Sequence, residues 1–181
     1  MLPEPDGTVL QILVYARTND EEVAGKEDVS KVVMKIMEKR LNVGHSLYMD
    51  NFYNLYDLAN TLLESNTYCT GTLRSNRIKH PIDVLSAKLK KGELNIQYCN
   101  NVAIMKWKDK SDVLFLTTEH FCKLQETCNR RGNVKEKLYP LTKYNENMGG
   151  IDLRDQMLYY YSSDPKTVRF ISTYTIEFVL V

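Results

Sequence analysis

Cysteine and histidine are scarce in this chain of 181 residues, which contains four of the former and three of the latter. Cys69, Cys99, Cys122 and Cys128 form no Cys-x-x-Cys pair, and together with His120 their spacing matches no common zinc finger. We therefore expect no zinc site, and instead scattered structural thiols that stay reduced in an intracellular protein.

Signatures of several enzyme and membrane-protein classes are also absent from the sequence. It contains no nucleophile elbow, no glycine-rich phosphate-binding loop and no dinucleotide-binding fingerprint, so nothing in it predicts a serine hydrolase, a P-loop NTPase or a Rossmann dehydrogenase. No charged and then apolar signal peptide opens the chain, and the apolar residues 176–181 are far too few to span a bilayer. We expect no membrane partner.

Neither sign of charge dominates, because the chain has 24 Lys and Arg residues and 23 Asp and Glu residues, which gives a net charge of +1. The charges are unevenly distributed, since residues 1–40 lean acidic whereas residues 74–91 and 130–143 are basic. Local basic surface can bind phosphates even when the total charge is near zero, and the alternative is that such runs are solvated loops. The basic residues of the first run are Arg74, Arg77, Lys79, Lys88, Lys90 and Lys91.

Hydrophobic residues in the first 77 positions follow an alternation of strands and helices, which is typical of an α/β domain. The pattern predicts strands over residues 8–16, 46–50 and 68–73 and helices over residues 29–41 and 55–63. Asn54 is placed to cap the second helix. Asp6-Gly7 is typical of a hairpin turn, but only five residues precede it, so we expect the chain to begin one strand late.

Beyond residue 77 the pattern changes to that of a small antiparallel meander. We expect a short helix from Pro81, strands within residues 94–116, a polar loop over residues 119–137 and a helix after Gly149-Gly150. The meander is interpreted as an insertion into the α/β body. The predicted division is residues 1–77 for the first part of the core, 78–140 for the insertion and 141–181 for the helical remainder.

Three aspartates are candidates for a metal-dependent site on phosphodiesters. Asp50 ends an apolar strand, where α/β sheets place their ligands, and Asp152 and Asp155 are three apart and share one helix face. Close carboxylates favour a cation, and Mg²⁺ is the usual one beside phosphates. The alternatives are that Asp152 and Asp155 stabilise a helix start and that Asp50 is a turn residue.

Four motifs in order resemble the piggyBac transposase family and its domesticated relatives. They are YMDNFY at residues 48–53, TGTLRSNR at 70–77 followed by Pro81, KWKDK at 106–110 and YNENMGGIDLRDQ at 144–156. The motifs are spread over residues 48–156, most of the chain, and their common order is far more specific than any one of them. The last is the strongest of the four.

The resemblance implies an RNase H-like catalytic core with an inserted small β-rich domain. It identifies Asp50 with the family's second catalytic aspartate, Asp152 with the third and Asp155 with an additional acid one helical turn later. It further implies Mg²⁺ or Mn²⁺ as cofactor, transposon ends and a TTAA target as DNA partners, a homodimer and a nuclear location. The six basic residues of the run 74–91 are the candidates for DNA contacts, with Arg74 and Arg77 in the family's basic motif.

Departures from the family pattern limit the expected activity. The first catalytic aspartate of the family belongs to a strand upstream of Met1, and neither Asp6 nor Asp20 lies on a strand that could replace it. We therefore expect an amino-terminally truncated core, inactive in strand transfer by itself. The alternatives are a domesticated DNA- or protein-binding module without catalysis and a non-functional relic.

Overall fold

The computed structural model describes residues 1–13, 28–75, 82–128, 132, 134–150, 152–153 and 156. Its strands are β1 Leu2–Pro3, β2 Val9–Gln11, β3 Ser46–Met49, β4 Tyr68–Thr72, β5 Leu94–Cys99, β6 Val102–Lys108, β7 Asp112–Thr117, β8 Leu124–Cys128 and β9 Val134–Leu138. Its helices are α1 Asp28–Met37, α2 Tyr56–Glu64, α3 Ile82–Ser86 and α4 Tyr139–Asn147, with a 3-10 turn at Glu38–Arg40. Residues 149–150, 152–153 and 156 are also helical.

A mixed five-stranded sheet in the order β3-β4-β7-β6-β5 forms the centre of the fold. β3 and β4 are parallel and are joined through α2. The other three pairs, β4–β7, β7–β6 and β6–β5, are antiparallel. The strand–helix–strand unit from β3 to β4 is therefore the one predicted from the hydrophobic pattern. The predicted α/β class is confirmed as a mixed α/β fold.

The sheet is buried on both faces. Val102, Ile104 and Leu116 point to one face, where they pack in a core with residues of α1, α2 and α3. Ala103, Met105, Trp107 and Phe115 point to the other, called here the α4 face, where Leu138 of β9 and Leu141 and Tyr144 of α4 pack against them. Alternating residues of β6 thus contribute to two separate cores, as the two-residue period of a strand requires.

The first hairpin has a preceding strand, which the sequence was expected to lack. β1 pairs antiparallel with β2, so the turn at Asp6-Gly7 has strands on both sides. Asp6 Oδ1 accepts a hydrogen bond from the Thr8 N–H at 2.8 Å, and Gly7 has a φ of +88°, which glycine adopts without strain. The strand predicted over residues 8–16 is observed at Val9–Gln11, and residues 14–16 lie outside the described residues.

The cap predicted for α2 is wrong. The helix begins at Tyr56 with Leu55 in the capping position, and no side chain caps it. Asn54 is fully buried instead, and its Nδ2 donates a hydrogen bond to the Thr72 carbonyl oxygen at 3.2 Å. The Asn54 side chain, which the local sequence predicts to cap α2, therefore binds the backbone at the end of β4 instead.

The structure bears on two expectations for residues 78–140, of which the second is wrong. The meander β5–β7 joins β4 in the central sheet, so an inserted domain is not confirmed. The polar loop expected over residues 119–137 contains the hairpin β8–β9, whose register runs from Leu124 opposite Leu138 to Cys128 opposite Val134. Its strands escaped prediction because β9 exposes four of its five residues and shows no apolar alternation.

Gly71 supplies a test of the sheet. It lies opposite Met49 in the β3–β4 ladder, and a Cβ atom at position 71 would stand 1.9 Å from the Met49 carbonyl oxygen. Gly71→Ala should therefore destabilise the protein by about 2 kcal/mol or more, because the two strands must separate. Urea denaturation measures the change.

Gly149→Ala is the matched control. Gly149 is helical and has no heavy atom within 4 Å of a built Cβ, so alanine should leave stability equal or slightly higher. Equal unfolding midpoints for the two variants would contradict the close contact of β3 and β4.

Candidate functional site at the end of strand β3

Asp50 follows the last residue of β3 and turns the chain towards α2. Its Oδ1 accepts hydrogen bonds from the backbone N–H groups of Phe52 at 2.8 Å and Tyr53 at 3.4 Å, and its carbonyl oxygen accepts one from Asn54 N at 3.1 Å. Asp50 is thus a turn residue, one of the two roles considered from sequence. Its Oδ2 accepts no hydrogen bond from the residues that the structure describes, and the side chain is only half-buried, so this oxygen is open to a ligand.

Arg74 is held beside this turn by two contacts. Its Nε donates to Asn51 Oδ1 at 2.8 Å, and its Cζ lies 5.4 Å from the centre of the Phe52 ring. One of the five guanidinium N–H donors is used in this way, which leaves the terminal nitrogens for another acceptor. Because Arg74 is exposed, a phosphate oxygen in solution can reach them.

Asn54 ties the turn to the end of β4. Its hydrogen bond to the Thr72 carbonyl oxygen passes close to Gly71, where a Cβ would stand 2.9 Å from Asn54 Nδ2. Asn54 Oδ1 is buried and finds no hydrogen-bond partner in the described part of the chain. The lack of a side chain at Gly71 therefore allows the contact that fixes Asp50 relative to Arg74.

Tyr144 of α4 packs on the α4 face, within electrostatic range of Asp50. Burial raises the pKa of the Tyr144 phenol, a hydrogen bond with Thr72 lowers it and the negative charge of Asp50 raises it again. The Tyr144 ring packs edge-on against Phe115, with 5.5 Å between the ring centres. α4 thus brings the start of the fourth motif to the carboxylate of the first. The sequence predicts no role for Tyr144 or Asn51, although both belong to the quoted motifs, and it predicts only a helix cap for Asn54.

The helical segment after α4 packs on the first hairpin. A Cβ at Gly150 would stand 2.2 Å from the Glu4 carbonyl oxygen, and Leu153 carbons lie 3.4–3.5 Å from a Cβ built at Gly7. Asp152 is exposed in this segment, and Asp155 lies outside the described residues. Glycine at position 150 therefore permits the close packing that places Asp152.

The metal site expected from Asp50, Asp152 and Asp155 stays a prediction. Within the described ranges no three His, Cys, Asp or Glu side chains form a group that could hold a metal ion. Asp50 by itself suits Mg²⁺ or Mn²⁺, because it presents one open carboxylate oxygen at the end of a strand. The described residues thus supply one fitting ligand and not a complete set.

The basic run 74–91 is divided between two places. Arg74 follows β4, whereas Lys88, Lys90 and Lys91 are exposed in the segment that leads into β5. Arg77 and Lys79 lie outside the described residues. In the order β4-β7-β6-β5 each strand is antiparallel to the next, so β5 runs opposite to β4. The end of β4 and the start of β5 therefore lie at the same edge of the sheet.

The residues considered for zinc have other contacts. His120 Nε2 lies 3.2 Å from the Tyr48 hydroxyl, and burial lowers the pKa of His120. Cys122 Sγ lies 3.7 Å from the His120 carbonyl oxygen. Cys69 is fully buried, which raises its pKa to about 12. Among the helices of the described residues, none has the length and hydrophobicity needed to cross a membrane.

Comparison with known families identifies the chain. The family model described as Transposase IS4 matches residues 1–179, nearly the whole sequence. The chain belongs to the Transposase IS4 family. The open carboxylate of Asp50 and the guanidinium of Arg74 are therefore features of a transposase-family domain.

A solved structure agrees with this assignment at the level of the fold. The transposase-family chain is similar to a piggyBac transposase in a synaptic complex with hairpin DNA, with a TM-score of 0.64 and 21% sequence identity. The similarity covers 86% of this chain and 31% of that one, so the chain spans about a third of the length of that transposase. The match supports the predicted RNase H-like transposase fold.

Asn54 gives a testable measure of how firmly the turn is held. Asn54→Ala removes the donor to the Thr72 carbonyl oxygen and leaves that oxygen without its partner. We expect a loss of about 1–3 kcal/mol in the free energy of unfolding, measured by urea denaturation.

Asn60→Ala is the control for this substitution. Asn60 makes a similar hydrogen bond, at 3.2 Å, but within α2, to the Tyr56 carbonyl oxygen. Alanine favours helices, so this change should cost less than about 0.5 kcal/mol. A loss for Asn54→Ala no larger than that for Asn60→Ala would show that the Asn54 contact does not hold the turn.

Proposed function

We propose that this chain is part of the catalytic core of a piggyBac-type DNA transposase and binds DNA phosphates at the end of strands β3 and β4. The observation that carries the proposal is the pairing of an open carboxylate oxygen on Asp50 with a positioned guanidinium on Arg74, at one sheet edge of a transposase-family chain. The similarity to a piggyBac transposase bound to hairpin DNA supports the finer assignment.

Arg74 is the proposed phosphate contact. Asn51 and Phe52 hold its guanidinium in place, so little side-chain entropy is lost when a phosphate binds. A planar guanidinium can donate two parallel hydrogen bonds to one phosphate. Such a contact positions the backbone and carries no sequence information. Recognition of transposon ends and of a TTAA target would then come from other residues.

Asp50 is the proposed metal ligand, with Asp152 and Asp155 as the other carboxylates that would hold Mg²⁺ or Mn²⁺. A bound divalent ion supplies activation of the attacking oxygen and stabilisation of the leaving one in phosphodiester chemistry. Asp50 stays in position for this role because two backbone N–H groups hold its Oδ1 and leave Oδ2 outward. Homodimer formation and a nuclear location belong to the same proposal through the resemblance.

A binding module without catalysis is the second candidate function. The observation that favours it is that the described residues bring no three metal-ligating side chains together. Metal-dependent nicking of a supercoiled plasmid by this chain would support the enzyme. Salt-sensitive DNA binding without nicking would support the module, and an unfolded product would support the relic.

DNA binding by an Arg74→Gln variant tests the proposal. We expect its affinity for a 20-base-pair duplex containing TTAA to fall roughly five- to tenfold, and the slope of log affinity against log salt to fall by about one. Fluorescence anisotropy across a salt series measures both quantities.

Lys31→Gln is the matched control, because it removes the same charge from an exposed position on α1, whose core lies on the face opposite α4. It should leave affinity and slope unchanged. Equal losses in both variants would mean that only net charge matters, and no loss in Arg74→Gln would remove Arg74 from the proposed site.

A further inference from the structure

A cleft of about 540 Å³ lies between the turn after β6, the start of β5 and the strand β9. It is lined by five lysines and only two acids. The lysines are Lys91, Lys108, Lys110, Lys135 and Lys137. Of these, only Lys91 is among the residues that the resemblance assigns to DNA.

Four of these lysines have no ion-pair partner in the described part of the chain. Lys108 is paired with Asp112 at 2.5 Å, whereas Lys91, Lys110, Lys135 and Lys137 are exposed and take part in no salt bridge between described residues. Lys135 and Lys137 are two apart on β9 and project from the same side of the strand. Ammonium groups grouped in this way repel one another, so a polyanion that enters the cleft relieves the repulsion.

The cleft opens at the same edge of the central sheet as Asp50. β4 and β7 are antiparallel and so are β7 and β6, hence β3, β4 and β6 all end at one edge. Asp50 follows β3, Arg74 follows β4 and Lys110 follows β6, and β5 starts at this edge just after Lys91. All four residues therefore stand along one side of the molecule.

The cleft also lies on the same face of the sheet as Asp50. β9 carries Lys135 and Lys137 and ends at Leu138, which packs on the α4 face. Tyr48, two residues before Asp50 and therefore on the same face of the sheet, contacts His120, whose ring packs edge-on against Tyr139 of α4. Edge and face together place the lysines and the carboxylate on one continuous surface.

The spacing along this surface suits one DNA duplex. Neighbouring strands are about 4.8 Å apart, so β3 is about 14 Å from β6 and about 19 Å from β5 in the order β3-β4-β7-β6-β5. One turn of a duplex is about 34 Å long. A backbone that passes Asp50 therefore reaches the lysine cleft about half a turn later.

The lining favours contact with phosphates over contact with bases. Trp107 forms part of the wall, but it is only 5% exposed, so its ring offers no surface for a base to stack on. Lysine ammonium groups bind phosphate oxygens without regard to sequence. The expected partner is the phosphate backbone of a duplex.

We infer that the cleft formed by Lys91, Lys110, Lys135 and Lys137 is a second phosphate-binding surface, which holds the duplex about half a turn away from Asp50. This inference rests on the proposed function, because the DNA that fills the cleft is the one that passes Asp50 and Arg74. The cleft contributes affinity and direction to the duplex, independently of base sequence.

Duplex length provides the test. Wild-type protein should bind a 20-base-pair duplex more tightly than a 3-base-pair duplex closed by a hairpin loop, because a stem of about 10 Å is too short to span the roughly 14–19 Å between the two surfaces. Lys135→Gln/Lys137→Gln should lose roughly three- to tenfold in affinity for the longer duplex, with a salt slope lower by about two, and little for the shorter one. Lys135→Arg/Lys137→Arg should retain the affinity of the wild type, which shows that the loss reflects charge and not folding.

Lys31→Gln/Lys39→Gln is the control with the same change in charge, at exposed positions of α1 and of the 3-10 turn that follows it. A loss equal to that of the cleft variant would overturn the inference. So would an unchanged affinity in Lys135→Gln/Lys137→Gln while Arg74→Gln still weakens binding, a result that leaves the proposed function standing. If Lys135→Gln/Lys137→Gln lost affinity for the duplex and Arg74→Gln did not, the duplex would not pass from Arg74 to the cleft, and the inference of one continuous surface would be overturned. If the wild-type protein bound polyglutamate as tightly as the 20-base-pair duplex, the partner of the cleft would be an acidic protein, and the inference would also be overturned.

Discussion

The close approach of strands β3 and β4 at Met49 and Gly71 is the constraint on which the candidate site depends. Only glycine fits at position 71, since any Cβ would overlap the Met49 carbonyl oxygen. The same missing side chain lets Asn54 reach the Thr72 carbonyl oxygen and fasten the turn that contains Asp50. The position of a charged group on the surface is thus set by backbone packing in the core.

Charge at the sheet edge is arranged in a definite order along the strands. The Asp50 carboxylate comes first, the guanidinium of Arg74 stands beside it, and the lysines around β5, β6 and β9 follow. A net charge of +1 hides this arrangement, because the acidic residues concentrate elsewhere. In the proposed function, a phosphate backbone would meet the carboxylate of Asp50 and these cationic donors on one surface. The antiparallel strands β5–β7 belong to that surface because they continue the sheet of β3 and β4.

Local signals predicted the parts of the fold that depend on neighbours in sequence. The β3–α2–β4 unit followed from apolar periodicity, and the turn at Asp6-Gly7 followed from its residue types. Contacts between distant segments escaped prediction: Asn54 binds Thr72 instead of capping α2, and β9 is a strand of exposed charged residues held by β8 and by Leu138. For the site, the motifs indicated Asp50 and Arg74, but their fixed relation through Asn51 depends on the parallel pairing of β3 with β4.

Binding of Mn²⁺ to the folded chain, measured by electron paramagnetic resonance of the free ion, tests the central claim that Asp50 presents a metal-binding carboxylate at the DNA-binding edge. Wild-type protein should remove Mn²⁺ from solution, and Asp50→Asn should weaken this binding at least tenfold. Asp83→Asn, at an exposed acid on α3, should bind as the wild type does. Equal Mn²⁺ binding by the wild type and Asp50→Asn would contradict the proposed metal-binding role of Asp50, because its open oxygen would then hold no metal.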